Sequence, residues 1–216
     1  MHLVLVGATC AGKTTLAEYM AKRGFRRIIT YTTRPKRDYE IDASKMSPME
    51  VRYADPPADY FFVSQDEFDK AKANGYFAET TSYNASFGYC EYGSTVEDWK
   101  SSDDTVCVLN PDGVRQLKQE GYDIFVVYIN TDFTECIDRA RQRGDDDKEI
   151  ARRMAHDITD LKNFENEIVS RTASLDADGN VIPGSKHEEH LYDIMIPCVG
   201  DLESVAHNIM SAQKKH

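Results

Sequence analysis

The sequence predicts an α/β fold in which a mostly parallel sheet is covered by helices on both faces. Short apolar runs alternate along the chain with segments of helical periodicity, the pattern of strands joined by crossover helices. The runs at 105–109 and 123–129 are apolar almost throughout, as strands buried on both faces are. A glycine-rich loop joins the first apolar run, 3–6, to the first helical segment. Together these observations favour one doubly covered core sheet.

The composition is that of a soluble globular protein. The chain has 216 residues, of which 41% are hydrophobic and 29% charged, enough for a single domain with appended lobes. No apolar run is long enough to span a membrane and none resembles a signal peptide, so we expect a cytoplasmic location. The net charge of −11 argues against a nucleic-acid-binding surface. The five scattered cysteines lack the spacing of a disulfide framework or a zinc site.

The glycine-rich loop has the spacing of a phosphate-binding P-loop. Its glycines let consecutive backbone N–H groups point at an anion, and the following helix adds its positive amino end. Lys13 can reach the β- and γ-phosphates of a nucleotide, and the Thr14 hydroxyl can hold Mg²⁺. The alternative is a glycine-rich turn in an ordinary βα unit, but the flanking strand and helix favour the P-loop. The predicted nucleoside triphosphate-binding loop comprises Gly7, Ala8, Thr9, Cys10, Ala11, Gly12, Lys13, Thr14 and Thr15.

Turn and cap signals predict the remaining elements. Further strands are expected at 25–31, 60–63, 76–81, 87–92 and 192–197, and helices at 16–23, 65–74, 94–99, 113–119, 132–143, 148–169 and 202–212. Ser64 and Glu67 form a capping box for one helix, and Asp112 is expected to cap another. Segments 42–59 and 172–190 lack a period and are expected to be irregular. Within a single 1–216 domain we assign 1–31, 100–136 and 156–216 to the core, 32–99 to an inserted β-rich lobe and 137–155 to a helical lid.

Two arginine-rich segments are candidate phosphate-binding elements. Arg34 and Arg37 lie in an extended loop, and their guanidinium groups suit a phosphate monoester, although a solvated basic loop explains this segment slightly better when it is taken alone. Arg139 and Arg143 share a helix face, and Arg152 and Arg153 follow the Gly144 break, so a hinged lid can close on a transferring phosphoryl group. The alternative for this segment is a charged helix neutralised by the neighbouring acidic residues. The two segments together favour the lid.

Taken together, these motifs resemble those of the guanylate kinase family. The resemblance rests on several motifs in the family's order: the P-loop, Thr32-Thr33-Arg34-Pro35-Lys36-Arg37 followed by Glu40, Asp59-Tyr60-Phe61-Phe62-Val63-Ser64, Gly75-Tyr76-Phe77-Ala78-Glu79, Tyr92-Gly93-Ser94, and the arginines from 139 to 153. It implies a P-loop NTPase fold and ATP-dependent phosphorylation of GMP or dGMP, with Mg²⁺. It implies no nucleic-acid or membrane partner, and the oligomeric state stays open.

The resemblance also implies roles for individual residues. Arg34, Arg37, Tyr60 and Tyr92 match positions that hold the GMP phosphate, Glu79 matches the carboxylate that accepts hydrogen bonds from guanine, and Thr30 and Ser94 match hydroxyls around the base. The cations expected to act in catalysis, at the phosphates and in the lid, are Lys13, Arg34, Arg139, Arg143 and Arg153. Thr14 matches the position that holds the metal. Asp112 is expected to replace one base- or metal-facing carboxylate of a family motif that here reads Asn110-Pro111-Asp112-Gly113, and whether Asn110 or Asp112 assists metal or base binding stays open.

Two other functions stay open. One is a kinase of the same fold with a broader range of nucleoside monophosphates or a phosphorylated sugar as acceptor, since the segments at 43–58 and 172–190 are longer than the family's. The other is a non-catalytic binding module of the same family. Such modules typically lose the cations of the ATP loop and lid, whereas Lys13, Arg139 and Arg143 are present here.

Overall fold

A five-stranded parallel sheet forms the centre of the computed structural model, which describes residues 1–55, 57–85, 88–171, 187–197 and 200–213. The strands are β1 (His2–Gly7), β2 (Arg26–Arg27), β3 (Tyr31–Thr32), β4 (Phe61–Phe62), β5 (Phe77–Ala85), β6 (Gly88–Thr95), β7 (Thr105–Val108), β8 (Ile124–Ile129), β9 (Ile168–Arg171), β10 (His187–His190) and β11 (Ile194–Ile196). The helices are α1 (Lys13–Ala21), α2 (Pro48–Tyr53), α3 (Gln65–Ala73), α4 (Val96–Lys100), α5 (Pro111–Gln119), α6 (Phe133–Gln142), α7 (Asp147–Asn166) and α8 (Leu202–Gln213), with a 3₁₀ turn at Ala43–Lys45.

The core sheet has the strand order β11-β8-β1-β7-β2, and every pairing within it is parallel. Its central strands are apolar because they are covered on both faces, and Val4, Leu5 and Val126 are completely buried. The predicted α/β fold with a mostly parallel core sheet is therefore confirmed. In such a sheet the carboxyl ends of the strands form one edge, where ligands bind beside a change of strand order. Here β1 ends at that edge between β7 and β8.

Gly7 ends β1 at the point where the backbone comes closest to the neighbouring strand. A β-carbon added at this position would lie 2.6 Å from the carbonyl oxygen of Ile129 on β8. Since no side chain tolerates that distance, glycine is required for the chain to leave the sheet and enter the P-loop.

A second sheet, with the order β4-β3-β6-β5, forms a separate layer of mixed parallel and antiparallel strands. The β5–β6 hairpin contains a register shift between Phe77 and Glu79, after which Glu79 pairs directly with Ser94. Gln116 on α5 links this sheet to the core, since its amide group exchanges two hydrogen bonds with the backbone of Thr80, at 3.0 and 2.8 Å. The second sheet is thereby fixed to the core helix that follows β7.

Several predicted element boundaries are wrong. The strand expected at 25–31 is two short strands in different sheets, β2 in the core and β3 in the second sheet. The segment expected to be irregular at 42–59 contains α2, which Ser47 and Glu50 cap reciprocally. The helix expected at 148–169 ends at Asn166, after which β9 pairs antiparallel with β10. Of segment 172–190, residues 172–186 lie outside the described residues.

The remaining predictions of elements hold with small shifts of boundary. The capping box of Ser64 and Glu67 begins α3, and Asp132 caps α6 through the backbone N–H of Thr134. Gly144, in the left-handed region at φ 87°, separates α6 from α7. No helix among the described residues is both long and apolar enough to cross a membrane.

Candidate functional site

A cavity of about 320 Å³ opens between the P-loop, the second sheet and α7. This volume is in the range of small-molecule sites. Of the residues predicted to bind phosphate, base or metal, thirteen line it: Gly7, Thr9, Cys10, Lys13, Thr14, Thr30, Arg34, Arg37, Tyr60, Glu79, Tyr92, Arg143 and Arg153. Residues more than 140 positions apart in the sequence therefore meet at one site, at the carboxyl edge of the core sheet.

The P-loop wraps around the ammonium group of Lys13. This group donates hydrogen bonds to the carbonyl oxygens of Gly7, at 2.8 Å, and Ala8, at 2.7 Å. Gly12 is left-handed at φ 98° immediately before α1, a conformation for which glycine is suited. Cys10 adopts φ 63°, which is uncommon for a residue with a side chain. The loop, followed directly by the amino end of α1, is the geometry of an anion cradle.

An acidic side chain from α7 also contacts the P-loop. The backbone N–H of Thr9 donates a hydrogen bond of 2.7 Å to the carboxylate of Asp157. Burial lowers the pKa of the Lys13 ammonium, and the nearby Asp157 carboxylate opposes that effect. One N–H group of the loop is thus bound by a carboxylate of the protein itself, a contact that sequence reasoning missed.

Arg34 and Glu40 form a buried ion pair at the wall of the cavity. The guanidinium donates two hydrogen bonds to the carboxylate, at 2.9 and 2.7 Å, and a third to the Tyr92 hydroxyl at 3.1 Å. The backbone N–H of Arg37 also donates to Glu40, at 2.7 Å. Burial disfavours the charge on Glu40, but these hydrogen bonds outweigh it and lower the pKa of the carboxyl. The carboxylate therefore orients both arginines of the predicted phosphate-binding loop.

Tyrosine hydroxyls occupy the same side of the cavity. The Tyr92 and Tyr83 rings stack at 5.4 Å between centroids, and their hydroxyl oxygens are 2.8 Å apart. The ring of Tyr60 lies 5.2 Å from the guanidinium carbon of Arg34. Burial raises the pKa of Tyr60 to about 12, so its hydroxyl stays a hydrogen-bond donor at neutral pH. The arrangement combines phenol and guanidinium donors, which suits an anionic phosphate.

Glu79 is a buried carboxyl group at the other end of the cavity. Only 3% of its surface is exposed, and the Ser94 hydroxyl donates to its Oε1 at 2.7 Å. Burial raises the pKa of Glu79 to about 7, although the hydrogen bond from Ser94 opposes the shift. Ser94 itself is completely buried and does not line the cavity, so it contacts Glu79 from behind.

The arginines of the predicted lid are paired with acidic residues while facing the cavity. Arg143 Nε donates to Asp145 at 3.0 Å, and Arg153 Nε donates to Glu149 at 2.7 Å. Hydrogen bonding to Asp145 raises the pKa of Arg143, so the guanidinium group stays charged. Arg143 and Arg153 are thus neutralised by neighbouring acids and also line the cavity.

Two further lid arginines have other partners. Arg139 does not line the cavity, but it donates to the carbonyl oxygen of Cys10 in the P-loop at 3.3 Å and pairs with Glu135 at 2.5 Å. Arg152 lines the cavity and donates to the carbonyl oxygen of Asn84 at 2.8 Å, near the tip of the β5–β6 hairpin. The lid segment therefore contacts both the P-loop and the second sheet.

The expected position of Asp112 is wrong. The cap of α5 is Asn110, whose side chain accepts from the N–H of Gly113 at 2.9 Å, with Pro111 at the first helical position. Asp112 is consequently in the first turn, exposed, and paired with Arg115 at 2.5 Å. It is not among the residues that line the cavity, whereas Asn110 is.

Other lining residues were not predicted: Thr81, Tyr83, Val108, Leu109, Pro111, His156, Asp157, Asp160 and Leu161. The lining residues of α7 are three or four positions apart, so they share one face of the helix. That spacing does not reveal which part of the molecule the face contacts. Burial raises the pKa of Asp160. Within the described part of the chain, no three His, Cys, Asp or Glu side chains are grouped as a metal site. Thr14 is exposed at the start of α1 and lines the cavity. A metal that is bound mainly through nucleotide phosphates takes few protein ligands, and the Thr14 hydroxyl would supply one such oxygen.

Comparison with known proteins agrees with this geometry. The family model for guanylate kinase matches residues 1–178. A guanylate kinase of Nitratidesulfovibrio vulgaris is 30% identical over 166 residues, covering 74% of this chain and 72% of that protein. A guanylate kinase of Latilactobacillus sakei is 27% identical over 182 residues, covering 79% and 81% respectively.

The fold comparison agrees with the family match. The structure of a guanylate kinase from Anaplasma phagocytophilum superposes with a TM-score of 0.60 at 17% identity, covering all of this chain and 85% of that one. This likeness shows the fold, which is that of the P-loop NTPases. The family match, the relatives and the fold lead to one conclusion: the chain belongs to the guanylate kinase family of nucleotide-binding phosphotransferases.

Proposed function

We propose that this protein transfers the γ-phosphoryl group of ATP to GMP or dGMP, giving ADP and the nucleoside diphosphate. The observation that carries the proposal is a single cavity lined both by the P-loop and by a buried carboxyl group, Glu79. A P-loop alone supports only nucleotide binding. A carboxylate that accepts hydrogen bonds from the N1–H and amino groups of a purine selects guanine, since adenine lacks that pair of donors.

The acceptor nucleotide would lie between Glu79 and the arginine loop. Arg34, Arg37, Tyr60 and Tyr92 supply two guanidinium groups and two phenol hydroxyls for the acceptor phosphate. Glu40 holds Arg34 in place through two hydrogen bonds, which reduces the ordering that phosphate binding requires. Thr30 lines the same cavity, which supports a contact of its hydroxyl with the base.

The donor ATP would bind in the P-loop. Backbone N–H groups of the loop and the ammonium of Lys13 would hold its phosphates, and Thr14 would hold Mg²⁺ together with phosphate oxygens. When bound, Mg²⁺ neutralises charge on the β- and γ-phosphate oxygens. The carboxylate of Asp157 would have to leave the Thr9 N–H if a phosphate oxygen is to take its position.

Transfer requires positioning and charge neutralisation more than proton chemistry. An oxygen of the acceptor phosphate forms a bond to the γ-phosphorus, the bond from that phosphorus to the bridging oxygen breaks, and ADP leaves. Lys13, Arg143 and Arg153 are among the cations that line the cavity, and they would stabilise the charge on the transferring group. For Arg143 and Arg153 this means exchanging Asp145 and Glu149 for phosphate oxygens as the lid closes.

The test is an acceptor screen with ATP across the common nucleoside and deoxynucleoside monophosphates. We expect GMP and dGMP to be phosphorylated with kcat/KM at least about 100-fold above AMP, CMP and UMP, because a buried carboxylate left unpaired penalises the other bases. Lys13→Met should abolish most turnover without loss of fold. Comparable rates with AMP or CMP would instead indicate a broad-specificity kinase, and absence of turnover with every acceptor would indicate a binding module.

A further inference from the structure

A chain of two buried hydrogen bonds runs behind Glu79. The indole Nε1 of Trp99 on α4 donates to Ser94 Oγ at 2.7 Å, and Ser94 Oγ donates to Glu79 Oε1 at 2.7 Å. The exposed fractions are 3% for Trp99, 0% for Ser94 and 3% for Glu79. Water therefore does not compete for these groups, and each hydrogen bond has to be satisfied within the protein.

The indole group of Trp99 determines which atom donates and which accepts in each of these two hydrogen bonds. An indole N–H donates and never accepts, so Ser94 Oγ must be the acceptor in the first hydrogen bond. A serine hydroxyl has one proton, and with Trp99 on its lone-pair side this proton is directed to Glu79. Ser94 then has no proton left to donate to a nucleotide.

The two oxygens of the Glu79 carboxyl group have different surroundings. Oε1 is engaged by Ser94, whereas Oε2 faces the start of α5, where a β-carbon on Gly113 would lie 3.0 Å away. Ser94 does not line the cavity and Glu79 does. The Glu79 carboxyl group, which lines the cavity, is thus anchored through Oε1 by a residue that does not.

We propose that Trp99 is a positioning residue for guanine recognition, which acts by orienting the Ser94 hydroxyl toward the Glu79 carboxyl group that lines the cavity. The inference rests on the proposed function, since it deepens the role of the same carboxylate. Trp99 is buried on α4 and does not line the cavity, so any effect on a nucleotide has to pass through other residues. Its effect reaches the base through Ser94 alone.

The groups around Glu79 show how far its pKa depends on the hydrogen bond from Ser94. Burial disfavours the charge on Glu79, and the described groups that oppose this effect belong to Ser94. From β7 the facing titratable group is Cys107, which burial keeps as a neutral thiol by raising its pKa well above the ordinary range. From α5 the neighbours are Asn110 and Gly113, which carry no charge. Weakening the hydrogen bond from Ser94 should therefore raise the pKa of Glu79.

The test is the affinity for GMP as a function of pH in wild type and Trp99→Phe, measured by calorimetry. Phenylalanine keeps an aromatic ring but has no N–H, so the Ser94 hydroxyl is no longer oriented. We expect GMP to bind about threefold more weakly at pH 7, with the difference nearly gone at pH 8.5, where Glu79 is ionised in both proteins. The KM for ATP should not change. A uniform weakening at every pH, or an equal effect on ATP, would overturn the proposal.

Two further variants isolate the path through Ser94. Ser94→Ala should shift the pH midpoint of GMP binding upward, and adding Trp99→Phe to it should cause no further shift. Tyr122→Phe is a matched control, because this ring lies 6.5 Å from that of Trp99 and has no hydrogen bond to Ser94. It should leave the midpoint unchanged. Additive shifts in the double variant would show that Trp99 acts by another route.

A measurement without nucleotide separates this inference from the proposed function. Trp99 is the sole tryptophan, so its fluorescence reports directly on the hydrogen-bond chain. We expect the emission of the free protein to titrate with a midpoint near pH 7, and Glu79→Gln to remove that transition. His2, whose ring lies 5.7 Å from Trp99, is present in both proteins and titrates lower, because burial lowers its pKa. Identical titrations in the two proteins would overturn the proposal whatever the enzyme's substrate, and this experiment also decides the matter if Trp99→Phe does not fold.

Discussion

Replacement of Glu79 by glutamine should make the free protein more stable at alkaline pH, although it removes a residue that we place in the active site. Burial holds the pKa of Glu79 at about 7 in the folded protein, against an ordinary value of 4.5. The folded state therefore binds a proton more tightly than the unfolded chain does. The resulting stabilisation is complete below pH 4.5 and is lost as the pH rises through about 7.

The size of the effect follows from the same pKa values. At about 1.4 kcal/mol per pH unit, the difference between 4.5 and about 7 corresponds to about 3 kcal/mol. Little solvent screening applies, because only 3% of Glu79 is exposed. The uncharged amide of Glu79→Gln can still accept the Ser94 hydrogen bond. We expect the variant to be about 3 kcal/mol more stable than wild type at pH 8 and nearly equal to it at pH 4.5.

The assay is urea unfolding of both proteins at a series of pH values, with the difference in unfolding free energy plotted against pH. Glu91→Gln is a matched control, since Glu91 is also buried but is paired with Lys72 at 2.9 Å. Losing that ion pair should lower the stability at pH 8, the opposite sign. If Glu79→Gln is less stable than wild type at pH 8, or if the difference does not depend on pH, the reasoning about the buried carboxyl is refuted.

Two further predictions concern the phosphate-binding elements. Glu40→Ala leaves the guanidinium of Arg34 buried without its partner, so we expect a loss of about 3 kcal/mol or more in unfolding free energy, together with weaker GMP binding; a loss below about 1 kcal/mol would contradict the role given to this pair. Asp157→Asn keeps an acceptor for the Thr9 N–H but removes a negative charge next to the P-loop, so the KM for ATP should fall about tenfold. A rise in that KM would instead mean that Asp157 assists donor binding.

The P-loop could be predicted from sequence because its geometry is local. Gly12, Lys13 and Thr14 act through backbone turns and a helix end formed by the residues next to them. The same holds for α3, whose Ser64 and Glu67 capping box was recognised. Ser47 and Glu50, with proline at the first position of α2, carry the equivalent local signal, so this helix lies within reach of the same rule.

Two errors arose where local signals compete or where tertiary contacts decide. Asn110 and Asp112 can both cap a helix, and Pro111 at the first helical position settles the choice for Asn110. The strand predicted at 25–31 divides between two sheets because residues 28–30 carry the chain from the core into the second sheet. Hydrophobic pattern alone does not reveal such a crossing.

The contacts of Asp157 and Trp99 could not have been predicted from sequence. Asp157 reaches Thr9, 148 positions earlier, because α7 packs beside the P-loop. Trp99 reaches Glu79 through Ser94, which depends on the register shift in the β5–β6 hairpin. In both cases the chemistry of the side chain is visible in the sequence, but its partner is set by the packing of distant elements.

We propose that Glu79 recognises guanine in a cavity that also contains the P-loop. The most direct test compares GMP with inosine monophosphate, which lacks the 2-amino group. In wild type we expect kcat/KM for GMP to exceed that for inosine monophosphate at least about 100-fold, because one carboxylate oxygen loses its partner. In Glu79→Gln the ratio should fall below about tenfold, while the KM for ATP stays unchanged. A ratio that survives the substitution would contradict the assignment of Glu79 as the guanine-recognising residue.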